Sequence, residues 1–224
     1  YQPGDRKRGA SEVMCARETY GLPASGVVFA GFHNTFKITP VIFDAWMNIL
    51  RAVNGSVLWL RFEGDEAAAN LRREAAARGI DDARLVFARH VPIAEHMARH
   101  RLADIFLDTY PYNAHSTTND SLWMGLPVVT LAGQTYAARV AASLLTAAGL
   151  PELITRDPGE YQTLAIALAG DPARVKALKD KLAAARSAPL FDTPRFTQHL
   201  EAAYEAMADR LYAGAVPDHI DVAP

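Results

Sequence analysis

Short, nearly unbroken apolar runs recur along the chain, separated by segments whose apolar residues fall at helical spacing. The first run, "GVVFAGF" (26–32), precedes a helix that opens with Thr39 as N-cap and Pro40 in its first position. "SVLWLRF" (56–62) is a second strand, "DEAAANLRREAAARG" (65–79) an alanine-rich helix closed by Gly79, and "RLVFAR" (84–89) a third strand. A short helix follows near 93–100. "ADIFLDT" (103–109) is the fourth strand, 116–124 a helix, "PVVTL" (127–131) the fifth strand, and 135–148 a helix ended by Gly149. "PELIT" supplies a short sixth strand or extended segment. Strands that are apolar throughout, rather than alternating, need cover on both faces, and helical crossovers provide it. The pattern predicts an α/β fold: a doubly wound, Rossmann-like parallel sheet. From Pro158 onward it is helical only, with breaks near Asp171 and across "SAPLFDTP" (187–194). The predicted division is an irregular lead-in over 1–25, a ligand-binding lobe over 26–190 and a C-terminal helix and tail over 191–224.

Composition narrows the function. With 224 residues, half of them apolar, the chain can bury a sizeable core as one large domain or two small ones. Its 23 basic and 25 acidic residues are well mixed and give a net charge of −2, so no basic face offers itself to nucleic acid. Any anion must be held locally. A single cysteine, Cys15, rules out a disulfide framework within the chain and points to a reducing, cytoplasmic setting. Cys15 itself reads as an incidental thiol. No apolar run approaches the roughly 20 residues needed to cross a bilayer, so no membrane partner is expected. The opening "YQPGDRKRGASEV" has neither an initiator Met nor an apolar leader and reads as part of something longer.

In an open parallel sheet, ligands bind at the carboxyl ends of the strands, near the point where strand order reverses. Here those ends are "HNTFK", "EGDE", "HVPIAEH", "YPYNAHSTTND" and "AGQTYAAR". No G-x-G-x-x-G follows the first strand, and no Walker P-loop is present. What remains is a phosphate site built from the helix start at Ser116, Thr117 and Thr118, where backbone N–H groups lack acceptors, together with Lys37 from a neighbouring strand end. The alternative is that these hydroxyl residues are ordinary helix caps. His96 and Arg99, three apart, share a helix face and could meet a base, or simply face solvent. Asp120, one turn into its helix, could accept from ribose hydroxyls or merely favour the helix dipole. Trp46, Trp59 and Trp123 read as packing residues. Asp81 and Asp82 have too few companions for a metal site, and Asp108 belongs to no Asp-x-Asp pair. Neither a metal nor another cofactor is expected.

The segments "GFHNTFKITP", "HVPIAEH", "LADIFLDTYPYNAHSTTNDSLWMGLPVVTLAGQTYAARVAASLL" and "SAPLFDTPRFTQHLEAAYEAM" closely resemble the C-terminal catalytic lobe of the O-linked N-acetylglucosamine transferases, over roughly 21–219 and in the bacterial style. The resemblance implies one Rossmann-like lobe of a two-lobed GT-B glycosyltransferase that holds UDP. It further implies an N-terminal lobe, a tetratricopeptide region upstream, and an acceptor protein or peptide.

Matched position by position, the resemblance puts Lys37 on the diphosphate as the catalytic cation, with Asn34 nearby where the family commonly has glutamine. His96 corresponds to the residue that stacks on uracil, Arg99 to a base-side arginine and Val91 to the base-reading strand end. His115, Ser116 and Thr117 correspond to the phosphate-binding helix start, Asp120 to the ribose carboxylate and Tyr112 to a position near the acetamido group. Phe36 departs from the pattern, since relatives can carry tyrosine there. The implied activity is inverting transfer of N-acetylglucosamine from UDP-N-acetylglucosamine to Ser or Thr hydroxyls, with no metal and with the general base in the other lobe. Other readings are a different UDP-sugar transferase or epimerase of GT-B architecture, or a non-catalytic nucleotide-binding module.

Overall fold

A computed structural model describes residues 9–12, 16–187 and 189–222. Cys15 lies outside the described residues. Six strands form one parallel sheet: β1 (Val28–Gly31), β2 (Val57–Arg61), β3 (Leu85–Ala88), β4 (Ile105–Leu107), β5 (Val128–Leu131) and β6 (Ile154–Thr155). Their order is β3-β2-β1-β4-β5-β6, so direction along the sheet reverses between β1 and β4. This is the doubly wound, Rossmann-like arrangement that the apolar runs predict. The register sets Phe29 against Ile105 and Ala30 against Phe106 across the reversal.

Eight α-helices accompany the strands: α1 (Pro40–Ala52), α2 (Asp65–Ala77), α3 (Ile93–Arg99), α4 (Ser116–Trp123), α5 (Val140–Ala147), α6 (Pro158–Ala169), α7 (Pro172–Ala184) and α8 (Thr193–Tyr212). Helix α1 buries Ile42, Phe43, Trp46, Ile49 and Leu50, which recur at three- and four-residue spacing and form one face. Completely burying a side chain of this kind is worth about 1.5–3 kcal/mol. Helix α2 buries only Ala75 and lies on the surface. It is closed by Gly79 at φ +71°, a conformation that glycine adopts without strain.

Trp46 and Trp59 are fully buried, and Trp123 is half-buried with its ring 5.0 Å from that of Phe191, in keeping with a packing role for all three. The Trp46 indole donates to the Tyr161 hydroxyl at 3.0 Å, and that hydroxyl donates to the Asp108 carbonyl at 2.9 Å. This relay ties α1 through α6 to the end of β4.

Boundaries differ from the sequence expectation in two places. The fourth strand shortens to Ile105–Leu107 because the Asp108 side chain accepts from the Thr109 backbone and starts a turn. The helix expected from residue 135 starts at Val140, because the Thr135 side chain caps a separate 3-10 turn over Tyr136–Ala138. Ahead of β1, Arg17 pairs with Asp104 at 2.9 Å and donates to the Leu102 carbonyl, which anchors the 3-10 turn Arg17–Tyr20 to the sheet.

Candidate nucleotide-binding site

The carboxyl ends of β1, β2 and β3 and the start of α4 enclose two adjoining cavities. One, of about 290 Å³, is lined by Ala88, His90, Val91, Ile93, His96 and Arg99. The other, of about 260 Å³, is lined by His33, Asn34, Lys37, Tyr112, His115 and Ser116. Phe32, Arg61 and Thr117 line both. The pair therefore sits where the strand order reverses. Nine of the ten sequence-predicted site residues line one cavity or the other. The tenth, Asp120, lines neither; it is buried at 7% exposure within α4.

The first cavity is an aromatic and imidazole shelf. The His96 ring lies 5.5 Å from that of Phe32 and 4.9 Å from that of His100. Burial, then the neighbouring His100 and Arg99, push His96 down to about 3, so it is a neutral ring at ordinary pH. Arg99 is only 4% exposed, which excludes the solvated-face reading of the His96/Arg99 pair. Its guanidinium lies 4.9 Å from the centre of the Phe32 ring and donates to the Arg89 carbonyl at 2.8 Å.

The second cavity carries the positive charge. The Lys37 ammonium donates to the Asn113 carbonyl at 3.0 Å and lies 3.8 Å from the centre of the Tyr112 ring. Burial lowers the Lys37 pKa, and the negative charge of Asp108 opposes that fall. Ser116 and Thr117 occupy the first turn of α4, where N–H groups have no intrahelical acceptor and the helix dipole is positive. Residue His115 precedes them in the N-cap position without a side-chain cap bond. Thr118 is different: its hydroxyl turns back to the Ala114 carbonyl at 3.0 Å and is buried, so it belongs to the helix and not to the cavity. Thr39, expected as the α1 N-cap, holds that position but spends its hydroxyl on the Tyr110 carbonyl at 2.9 Å, joining the two loops that form this cavity.

Two contributors, Arg61 and His33, have no role in the sequence reading, and a third, Asp108, is weighed there only as a metal ligand. Arg61, the last residue of β2, bridges the cavities and donates to the Asn34 side chain. An arginine ending an otherwise apolar run was the available signal. His33, fully buried and lowered to about 4 by burial, sits behind Lys37 with its Nε2 2.8 Å from the Leu107 carbonyl. Asp108 lies beneath the cavity floor and accepts from the backbone of Ala114 at 2.7 Å. Among the described residues no group of three or more His, Cys, Asp or Glu is arranged to hold a metal ion, and no helix is long and apolar enough to cross a membrane. A larger hollow of about 700 Å³ beside β5 and β6, with Gln134, Tyr136, Arg139 and Arg156 on its wall, shares no residue with this site.

The chain matches glycosyl transferase family 41 over residues 4–200. It is 36% identical over 214 residues to a UDP-N-acetylglucosamine–peptide N-acetylglucosaminyltransferase of Caenorhabditis elegans, covering 94% of this chain and 18% of that protein. A probable enzyme of the same name from Arabidopsis thaliana is 38% identical over 208 residues, covering 92% of this chain and 21% of that protein. Among solved structures, a mutant of the Thermobaculum terrenum O-GlcNAc transferase superposes with a TM-score of 0.80 at 32% identity, over 92% of this chain and 38% of that one. The chain thus spans about a fifth of the length of these curated relatives. Sequence, fold and the position of the cavities agree: the chain belongs to glycosyl transferase family 41.

Proposed function

We propose that this chain is the donor-binding lobe of an inverting protein O-glycosyltransferase, which transfers N-acetylglucosamine from UDP-N-acetylglucosamine to Ser or Thr hydroxyls. The observation that carries the reading is the adjacency of the two cavities. An aromatic shelf at Phe32 and His96 suits a base, and in the adjoining cavity Lys37 and the start of α4 suit a diphosphate. In this reading the uracil lies against His96, Arg99 and Val91, and the phosphates against Lys37, Asn34, His115, Ser116 and Thr117. Tyr112 lies toward the sugar, and Asp120, one turn into α4, is the carboxylate for the ribose.

The reaction requires little more of this lobe. The acceptor oxygen attacks C1 of the sugar, the bond from C1 to the β-phosphate oxygen breaks, and UDP departs with the electron pair. Negative charge grows on the diphosphate in the transition state, so the Lys37 ammonium and the α4 N–H groups stabilise it more than the ground state. No metal is needed for that role. The acceptor's proton passes to a base outside this chain, on the N-terminal lobe of the complete protein, which also carries a tetratricopeptide region and works in the cytoplasm. Helix α8 supports the existence of such a lobe: Leu200, Tyr204, Met207 and Leu211 are all exposed on it and recur at helical spacing.

The test is to incubate the full-length protein with UDP-N-acetylglucosamine and a Ser/Thr-containing peptide and to weigh the products. One added N-acetylhexosamine per peptide, with release of UDP, is expected. Transfer from a different UDP-sugar, or epimerised donor without peptide transfer, would replace the activity while keeping the site. Thermal protection by UDP without any turnover would reduce the lobe to a nucleotide-binding module.

A further inference from the structure

The phosphate-side cavity stands on a buried carboxylate that does not line it. Asp108 follows β4 and is completely buried, a costly place for a carboxylate unless its oxygens are satisfied. They are. Oδ1 accepts from the backbone N–H of Thr109 at 2.8 Å and of Ala114 at 2.7 Å, and Oδ2 accepts from the Thr130 hydroxyl at 2.6 Å. Two of these donors lie at opposite ends of the 109–114 segment, so one oxygen closes that segment on itself while the other fastens it to β5. The same segment supplies the exposed Tyr112 ring and the carbonyl of the buried Asn113, the two groups against which the Lys37 ammonium rests. The Asn113 side chain adds bonds to the carbonyls of Thr109 at 2.7 Å and Leu131 at 3.3 Å.

We propose that Asp108 is a positioning residue for the transfer reaction: it never meets the donor, and it acts by holding the 109–114 segment in the shape that aims Lys37 at the diphosphate. The inference rests on the reading of Lys37 as the diphosphate cation. Electrostatics run the same way, since Asp108 and Lys37 attract one another. Burial raises Asp108 to about 7, and its three hydrogen bonds and Lys37 work against that rise. The other titratable groups facing it are His33, whose ring reaches the Thr109 hydroxyl at 3.4 Å, and Tyr161, whose hydroxyl donates to the Asp108 carbonyl.

The test is a double-mutant cycle on turnover in the full-length protein, with Asp108→Ala and Asp108→Asn each made in the Lys37 and the Lys37→Ala backgrounds. If Asp108 works through Lys37, Asp108→Ala lowers kcat at least tenfold when Lys37 is present and less than twofold when it is absent. Asp108→Asn, whose carbonyl can still accept the two backbone N–H groups, stays within threefold of the parent. An equal fold-loss in both backgrounds would mean that Asp108 serves only general stability, and the inference would be overturned. Should Asp108→Ala not fold, Thr130→Val carries the same comparison by removing one hydrogen bond, with about a threefold loss expected only when Lys37 is present. If Lys37→Ala alone leaves turnover unchanged, the reading of Lys37 falls and takes this inference with it; a large Lys37 effect with additive Asp108 effects overturns the inference alone.

Discussion

The Lys37 ammonium lies 3.8 Å from the centre of the Tyr112 ring, at the edge of the phosphate-side cavity. The ring face attracts the cation without neutralising it, and the ammonium's hydrogen bond to Asn113 goes to an uncharged carbonyl. Lys37 is therefore held in place with its charge still available to an anion. In the full-length protein, Lys37→Ala is expected to reduce turnover more than donor affinity. By analogy with the loss of an oxyanion-hole donor the cost is about 2–4 kcal/mol of transition-state stabilisation. Steady-state kinetics will check this, and a rise in KM with unchanged kcat would reassign Lys37 to ground-state binding.

On the proposed reading, the start of α4 divides its residues between the phosphates and the ribose. Replacing Ser116 and Thr117 together with Ala should weaken UDP much more than uridine, which has no phosphates to lose. Asp120→Ala should weaken both alike. Calorimetric titration of each ligand, beside melting curves, distinguishes this from capping, which predicts a fall in stability with no ligand preference. Thorough chelation should leave transfer intact, because Lys37 and the helix end already supply positive potential. Abolition of activity by a chelator would contradict that.

The relay from Trp46 through Tyr161 to Asp108 should be measurable as stability. Tyr161→Phe removes the hydroxyl that accepts from the Trp46 indole and donates to the Asp108 carbonyl, leaving both partners buried and unsatisfied. The expected loss is about 1–3 kcal/mol in chemical denaturation. No change would mean that water replaces the hydroxyl.

Stability should also rise with pH through the acidic range. His33 and His100 are fully buried and lowered to about 4, and His96 is lowered to about 3, in each case mainly by burial, so unfolding lets each take up a proton between its folded value and about 6.5. Asp108, raised to about 7 by burial, acts in the opposite sense, since its folded form holds a proton that the unfolded chain releases. Three histidines against one carboxyl leave a net uptake of about two protons on unfolding. Between pH 4 and 6.5 the unfolding free energy should therefore increase by about 2.7 kcal/mol per pH unit. Denaturation midpoints compared at pH 5 and pH 6 give the sign directly, and a flat or falling trend would count against these assignments.

Much of this was legible from the chain alone, for identifiable reasons. The β-strands announce themselves because residues such as Leu58, Trp59 and Phe106 are buried on both faces of a parallel sheet and leave no polar alternation. Lys37, Ser116 and Thr117 are legible as residues of one cavity because strand ends and helix starts are predictable places for a ligand site. Asp108 was weighed only as a metal ligand and set aside; its partners, Ala114 and Thr130, are six and 22 residues away and become neighbours only when β5 pairs with β4. Arg61 was passed over because its partner Asn34 lies 27 residues away on an adjacent strand end. The turn before α5 was misplaced because the Thr135 cap makes a 3-10 turn with a sequence that equally suits a helix.

The reversal of strand order between β1 and β4 has a mechanical consequence for a bound nucleotide. The base-side wall belongs mostly to the stretch ending at α3 and the phosphate-side helix to the stretch beginning at β4, and the halves of the sheet meet along β1 and β4. A nucleotide seated in both cavities straddles that seam like a rivet, and separating the halves would require tearing it out. Its binding energy therefore adds to the cohesion of the pairing with the longest sequence span in the sheet. Backbone amides at the seam, such as that of Asp104, which donates to the Val28 carbonyl, should exchange with solvent more slowly when UDP is present, while those of the outlying helix α2 keep their rate.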